Sequence, residues 1–393
     1  MGFGIQRLAR STKRRGGLRG LFGGKPPDAK ELGERLPRLA RRMLPGVVSD
    51  ASAKRITLAF HPGASPARLL ITAEGDLELR AETSALGPGY QAHVIAALGP
   101  LLEELEFAWE PDPDADEDML AWLADELRAG KRAIGMPAER VFLVDDADVL
   151  TALGPRDAAW RARVIADPQA GLDAFPWPSE GPGRAALARA LVAMWHEVPW
   201  REPLDDRERK VMGQVDLDLE EAYRADKTLP IPWADWHELL VVLGIDDDKR
   251  LDRLRKRAGD AQPAIGYRRH PMEIELAGGW TMTLSGNFAG HWEDDDARWW
   301  ATDGERVVEF TSLTANNGAD SAALLAVAAE AHPVLDRFTD GDRCGRAEAF
   351  DDGAVRVVTG LVARAPDVGI LTCKGDPDDE PWALATWRSL RIG

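Results

Sequence analysis

Stretches of two-residue alternation and stretches of helical spacing divide this chain into successive regions of different secondary structure. Between residues 54 and 150 both patterns occur. Arg55 to Phe60 reads as a strand, and Arg68 to Ala73 and Leu77 to Glu82 flank Glu74-Gly75-Asp76 as a hairpin. Gly87-Pro88-Gly89 launches a helix over Tyr90 to Phe107, with Val94, Leu98, Leu101, Leu102 and Leu105 as its apolar stripe. A second helix over Glu117 to Ala129 and a short strand over Val141 to Val144 complete an α+β region.

From Asp148 to Asp260 the spacing becomes helical. Helices are predicted at Pro182 to His196, Asp205 to Arg224, Trp233 to Leu243 and Asp247 to Ala258. Proline-rich joints at 175–178, 199–200 and 229–232 forbid one helix from running into the next. Trp195, Trp200, Trp233 and Trp236 then supply contact area where the segment folds back. Gly259 to Pro263 reads as a linker.

Beyond it, alternation returns. Met272 to Leu276 and Trp280 to Leu284 are strands, and Arg298 to Thr302 with Arg306 to Leu313 close around Asp303-Gly304. Ser321 is the expected N-cap of a helix reaching Arg337. Gly345 to Phe350, Ala354 to Arg364 and Val368 to Lys374 form a meander, and Trp382 to Leu390 a terminal helix. The fold class is therefore multidomain α+β: a small N-terminal α/β domain at 51–150, a helical region at 151–262, and a C-terminal antiparallel-sheet α/β sandwich at 263–393. The first 50 residues read as a basic, glycine-rich mobile arm and a short helix over Asp28 to Leu44, in which Leu32, Leu36, Leu39 and Met43 share a face.

The order of strand pair, hairpin, helix, three-strand meander and terminal helix resembles the PsbP/DcrB-like α/β sandwich. Gly279-Trp280, Val307 to Ser312, the alanine-rich helix and Trp387-Arg388-Ser389-Leu390 carry the resemblance, which covers residues 265 to 393. It implies a noncatalytic binding module and names no ligand, because a fold of this kind hosts many functions.

Charge changes the picture at the N-terminus. Residues 1–46 hold twelve Lys and Arg against three acids, +9, and the whole chain is −17, so the remainder is −26. Such a body repels nucleic acid phosphate and anionic membrane. Contact with either falls to the arm, where Arg14, Arg15 and Arg19 with Phe22 form the candidate anionic-surface site, joined by Phe3, Ile5, Leu8, Leu18 and Leu21. Two cysteines, Cys344 and Cys373, cannot build a disulfide framework and are expected to be buried thiols. No apolar run reaches the roughly 20 residues that span a bilayer, and the N-terminus lacks the apolar centre of a signal peptide. The expected location is cytoplasmic, with membrane association through the arm as the variant. No cofactor is called for.

Several catalytic templates fail at named positions. His237-Glu238-Leu239-Leu240-Val241 opens like a zinc-protease helix, but Val241 stands where the second histidine belongs, and His196-Glu197-Val198-Pro199-Trp200 fails in the same way. Asp112, Asp114 and Asp116 have the spacing that opens a calcium loop, yet Glu117 replaces its glycine and Leu123 its bidentate glutamate. Gly24-Lys25 lacks the first glycine and the hydroxyl residue of a phosphate loop, and Ser285 lacks the flanking glycines of a nucleophile elbow. His291, Asp294 and Asp296 are the metal candidates, against their reading as a solvated loop between Trp292 and Trp299. No catalytic residue is assigned.

Tryptophan is the positive signal. Trp280, Trp292, Trp299, Trp300, Trp382 and Trp387 fall in one domain, and strand alternation sends Trp299 and Trp300 to opposite faces. Trp299, Trp300 and Trp292 are the candidate partner-binding residues. The expected function is a noncatalytic protein-binding adaptor, chaperone or accessory factor of bacterial type, with a protein partner. The alternatives are a peripheral membrane-surface protein and an enzyme of unrecognised type.

Overall fold

The computed structural model describes residues 3–12, 28–111, 115–135, 147–293, 298–315 and 318–392. The chain is a multidomain α+β protein. Its first layer contains β1 (Gly4–Ser11), α1 (Ala29–Met43), β2 (Val48–Ala51), β3 (Arg55–Leu58), β4 (Ala67–Ile71), β5 (Leu77–Glu82), α2 (Pro88–Glu104), β6 (Phe107–Trp109) and α3 (Ala115–Arg128). The strands form one six-stranded sheet in the order β2-β3-β4-β5-β1-β6. Helix α1 starts where the Asp28 carboxylate accepts the Glu31 N–H at 2.8 Å, a side-chain cap for a donor the helix cannot satisfy itself. Leu32 and Leu36 of α1 and Val94, Leu98, Leu101 and Leu102 of α2 bury against Ile56, Leu58, Leu69, Leu77 and Leu79 of the sheet. The sheet's other face carries Gln6, Glu78 and Arg80, the division expected when an antiparallel sheet packs on one side only.

This arrangement corrects the expected mobile arm. Residues 4–11 are an interior strand, paired with β5 through Gly4 to Ala9 and with β6 through Ala9 to Ser11, with Ile5 and Ala9 buried. Ile5 is therefore not free to enter a membrane, and Phe3 rests against Trp122 at 5.7 Å between ring centroids. Pairing on both sides overrides the weak propensity of a Gly- and Arg-rich segment. Arg14, Arg15, Arg19 and Phe22 lie outside the described residues, as do Val141 to Val144 and Asp112 to Asp114.

The middle region holds a hairpin of β7 (Val149–Thr151) and β8 (Gly154–Arg156), then α4 (Ala158–Ala166), α5 (Arg184–His196), α6 (Asp206–Ala225), α7 (Trp233–Val242) and α8 (Asp248–Ala258). Met194, Met212, Val215, Leu219, Trp236, Leu239, Leu240 and Leu254 are among the residues of its core. His237 sits alone on α7, and Val241, where a second metal ligand would stand, is 51% exposed. The expected linker at 259–263 is followed by a docked segment. The Asp235 carboxylate accepts the Ala264 and Ile265 N–H groups at 2.9 and 2.8 Å, the Arg269 guanidinium grips Glu238, and Tyr267 is fully buried between Trp195 and His196 while donating to the Thr151 carbonyl. By its contacts, 264–270 belongs to the helical region.

The C-terminal domain comprises β9 (Pro271–Glu275), β10 (Trp280–Ser285), β11 (Ala289–Trp292), β12 (Arg298–Thr302), β13 (Val307–Thr314), α9 (Ser321–Val327), β14 (Val334–Asp340), β15 (Arg343–Asp352), β16 (Val355–Arg364), β17 (Asp367–Gly375), α10 (Glu380–Arg388) and β18 (Arg391–Ile392). A seven-stranded sheet runs β11-β12-β13-β17-β16-β15-β14, and a three-stranded sheet runs β18-β10-β9. The helix expected to reach Arg337 stops at Val327, and residues 334–340 pair with β15 instead. Pro333 bars a helix from running on to Arg337, because it disfavours helical backbone at His332 and could not donate within a helix. The cap is Asp320, which accepts the Ala323 N–H at 2.8 Å, while the Ser321 hydroxyl donates to the Asp342 carbonyl. Cys373 is a buried thiol, its pKa pushed up to about 12 by burial, and Cys344 is half-buried.

Candidate protein-interaction face

The seven-stranded sheet has two unlike faces. One is filled: Trp299, Ala301, Val308, Phe310, Ala347, Ala349, Val358, Leu371 and Cys373 are buried against Trp280, Leu284, Ala383 and Trp387. Gly360 lies directly beneath the Trp387 ring, where any Cβ would collide with it. Side chains one position along each strand point the other way.

On that second face, register brings residues from six strands into rows. Trp300 of β12 lies opposite both His291 of β11 and Glu309 of β13, and the row continues through Thr372 and Thr359 to Glu348. The His291 and Trp300 rings are 5.0 Å apart, the Lys374 ammonium meets Glu309 at 2.6 Å, and the Thr359 and Thr372 hydroxyls are 3.3 Å apart. A neighbouring row runs Thr311, Ile370, Leu361 and Arg346.

Among the described residues, the segment from α9 to residue 332 covers one end of this face. Arg346 is buried and donates to the Ala328 carbonyl at 2.9 Å, while the Glu348 carboxylate accepts the Ala331 and His332 N–H groups at 2.9 and 3.0 Å. Their ion pair, 2.8 Å across, thus fastens α9 and residues 328–332 over β15 and β16. Burial raises the Glu348 carboxyl pKa, and its backbone bonds and Arg346 outweigh that, leaving it lowered. At the other end Trp300, Val307, Thr311, Ile370 and Thr372 remain half-buried, and Leu313 is 61% exposed.

The three tryptophans singled out from sequence are thus split. Trp300 lies on the open face, while Trp299 and its strand partner Trp292 lie on the other, Trp299 in the core and Trp292 40% exposed at the edge. His291 stands in strand β11 and not in a loop, and Asp294 and Asp296 fall outside the described residues. Among the described residues no three His, Cys, Asp or Glu side chains gather closely enough to hold a metal ion.

A second group was not legible in the sequence. His61, Tyr90, His93 and Trp177 meet where the six-stranded layer abuts α5, with ring separations of 4.8 Å for His93–Trp177 and 5.7 Å for Tyr90–Trp177. The His61 Nδ1 accepts the Gly63 N–H at 3.0 Å, so the ring proton of the neutral form sits on Nε2, which is buried without a partner. Burial, then Arg189 and His93, lowers the His61 pKa to about 4. Their separation along the chain hides the cluster from any spacing rule.

No family model matches the chain, and no curated protein does. Among solved structures it is similar to the solution structure of cyanobacterial PsbP (CyanoP) from Synechocystis sp. PCC 6803, at 5% identity over 34% of this chain and 96% of that one, with a TM-score of 0.25. A likeness that slight bears on neither ligand nor partner.

Proposed function

We propose that this chain is a noncatalytic protein-binding adaptor, chaperone or accessory factor whose C-terminal domain, a PsbP/DcrB-like sandwich in our reading, meets its protein partner through the open face around Trp300. The observation that supports this is the half-buried combination of Trp300, Val307 and Ile370 on a sheet face whose opposite side already has a complete core. A solvated antiparallel face is ordinarily polar, and tryptophan is enriched among residues that anchor interfaces. Burying such a ring under a partner supplies affinity without altering the domain's own core.

The test compares two neighbouring substitutions. Trp299→Ala removes a core ring and should lower stability by about 3 to 5 kcal/mol in thermal or denaturant melts. Trp300→Ala should leave the melt within about 1 kcal/mol of wild type, yet abolish co-purification of the native partner from the source cell. Undiminished co-purification by Trp300→Ala would remove the basis for this reading.

A further inference from the structure

A different surface, in the helical region, departs from the rest of the chain in its charge. The chain as a whole has 49 Lys and Arg against 66 Asp and Glu, whereas α8 has six cations, Lys249, Arg250, Arg253, Arg255, Lys256 and Arg257, against Asp248 and Asp252. Lys249, Arg253 and Lys256 recur at i, i+4 and i+7 and so share one helix face. All three are exposed, and no ion pair joins any of them to an acid among the described residues.

Beside this stripe, α6, α7 and α8 enclose a cleft of about 120 Å³ lined by Tyr223, Trp233, Trp236, Arg250, Arg253 and Arg257, with the Glu220 carboxylate, paired to Arg224 at 2.9 Å and 3.6 Å from Arg250, also at its wall. The Arg257 guanidinium lies 4.7 Å from the Tyr223 ring centroid and 4.6 Å from that of Trp233, and donates to the Tyr223 hydroxyl at 2.5 Å. Arg250 is held by Asp216 at 2.6 and 3.1 Å. Stacked and tethered in this way, Arg257 has little rotamer freedom left to lose, and its remaining N–H donors suit a planar carboxylate. Arg253 adds a guanidinium that no acid among the described residues pairs with.

We propose that this cleft and the stripe beside it bind a glutamate- or aspartate-rich segment of a partner protein in extended form. Size and spacing favour this occupant. The cleft is smaller than the roughly 300 Å³ at which small-molecule sites begin, and suits a single side chain. Lys249 and Arg253 are separated by about 6 Å along the helix, close to the roughly 7 Å repeat of alternate side chains in an extended peptide, while Lys256 follows after about 4.5 Å within the reach of its flexible stem. A nucleic acid would need a longer basic track and would meet the repulsion of a chain that is −17 overall, whereas a short peptide feels chiefly the local charge.

Fluorescence anisotropy with the full chain decides the matter, using a labelled glutamate-rich peptide, its glutamine counterpart and a single-stranded oligonucleotide of equal formal charge. The glutamate peptide should bind, with affinity falling as salt is added and dropping about tenfold or more in Arg253→Glu/Lys256→Glu. Arg257→Lys, which keeps the charge and loses the planar fork, should also weaken binding. Trp300→Ala should leave it unchanged, which separates this surface from the sheet face. Equal binding of the glutamine peptide, tighter binding of the oligonucleotide, wild-type affinity in a folded Arg253→Glu/Lys256→Glu protein, or no binding of the glutamate peptide would each overturn the proposal.

Discussion

His61 shows how much one buried side chain can impose on the whole chain. In the unfolded chain its imidazole titrates near 6.5, and in the fold its pKa is lowered to about 4. A depressed folded value means that the unfolded state takes up the proton first as the pH falls. The stabilisation is therefore complete above the ordinary value and is lost progressively toward the folded one, by about 3 kcal/mol in all. Melts between pH 7.5 and 4.5 should show this fall in wild type and a shallower one in His61→Leu. Parallel pH profiles for the two proteins would mean that His61 is not held neutral. His93, lowered first by its own burial, works in the same direction. Nothing in the sequence foretold this, since His61 and Trp177 meet only because the segment around Trp177 docks on the first layer, the Trp177 N–H donating to the Leu86 carbonyl, whereas the separation of Trp299 from Trp300 followed from alternation within one strand.

Single elements behave as local patterns dictate until tertiary pairing or one proline overrules them. The capped helices α1 and α6 begin one residue after Asp28 and Asp205, where the local sequence alone places their starts, because a carboxylate accepting the N3 amide is a purely local device. Strand β1 is the opposite case: its glycine and arginine content resembles a mobile segment, and only its two strand partners make it a strand. Removing residues 1–27 should therefore unfold or grossly destabilise the first layer, and Ile5→Ala in the full chain should cost about 2 to 4 kcal/mol. Coincident melts of the full chain and a protein starting at Asp28 would refute the assignment of β1 to the sheet interior. The shortened α9 was within reach of the sequence, since Pro333 stands inside the helix that alanine spacing suggested.

At the scale of the whole molecule, the chain is a series of layers joined by specific seams. The core of the C-terminal domain is drawn from Leu276 to Leu390, while Tyr267 is buried against Trp195. A fragment starting at His270 should consequently give a cooperative melt, and one starting at Pro263 should carry a stranded Tyr267 and associate or aggregate more readily; size-exclusion chromatography of the two tests this. A monomeric fragment from Pro263 with aggregation of the one from His270 would place the seam on the other side of Tyr267. Layer order was readable from the succession of periodicities, but the seams were not, because Asp235 with Ala264, Arg201 with Asn287 and Arg268 with Glu197 join residues across element boundaries. No helix among the described residues is long and apolar enough to cross a membrane. Whether a protein partner sits on the open sheet face is decided by placing a photo-crosslinking amino acid at position 300 and, in a second protein, at exposed Ala385 on α10, then irradiating in the source cell. A discrete protein adduct is expected from position 300 and none from position 385. Adducts from both positions alike, or from 385 alone, would contradict a partner on the open face.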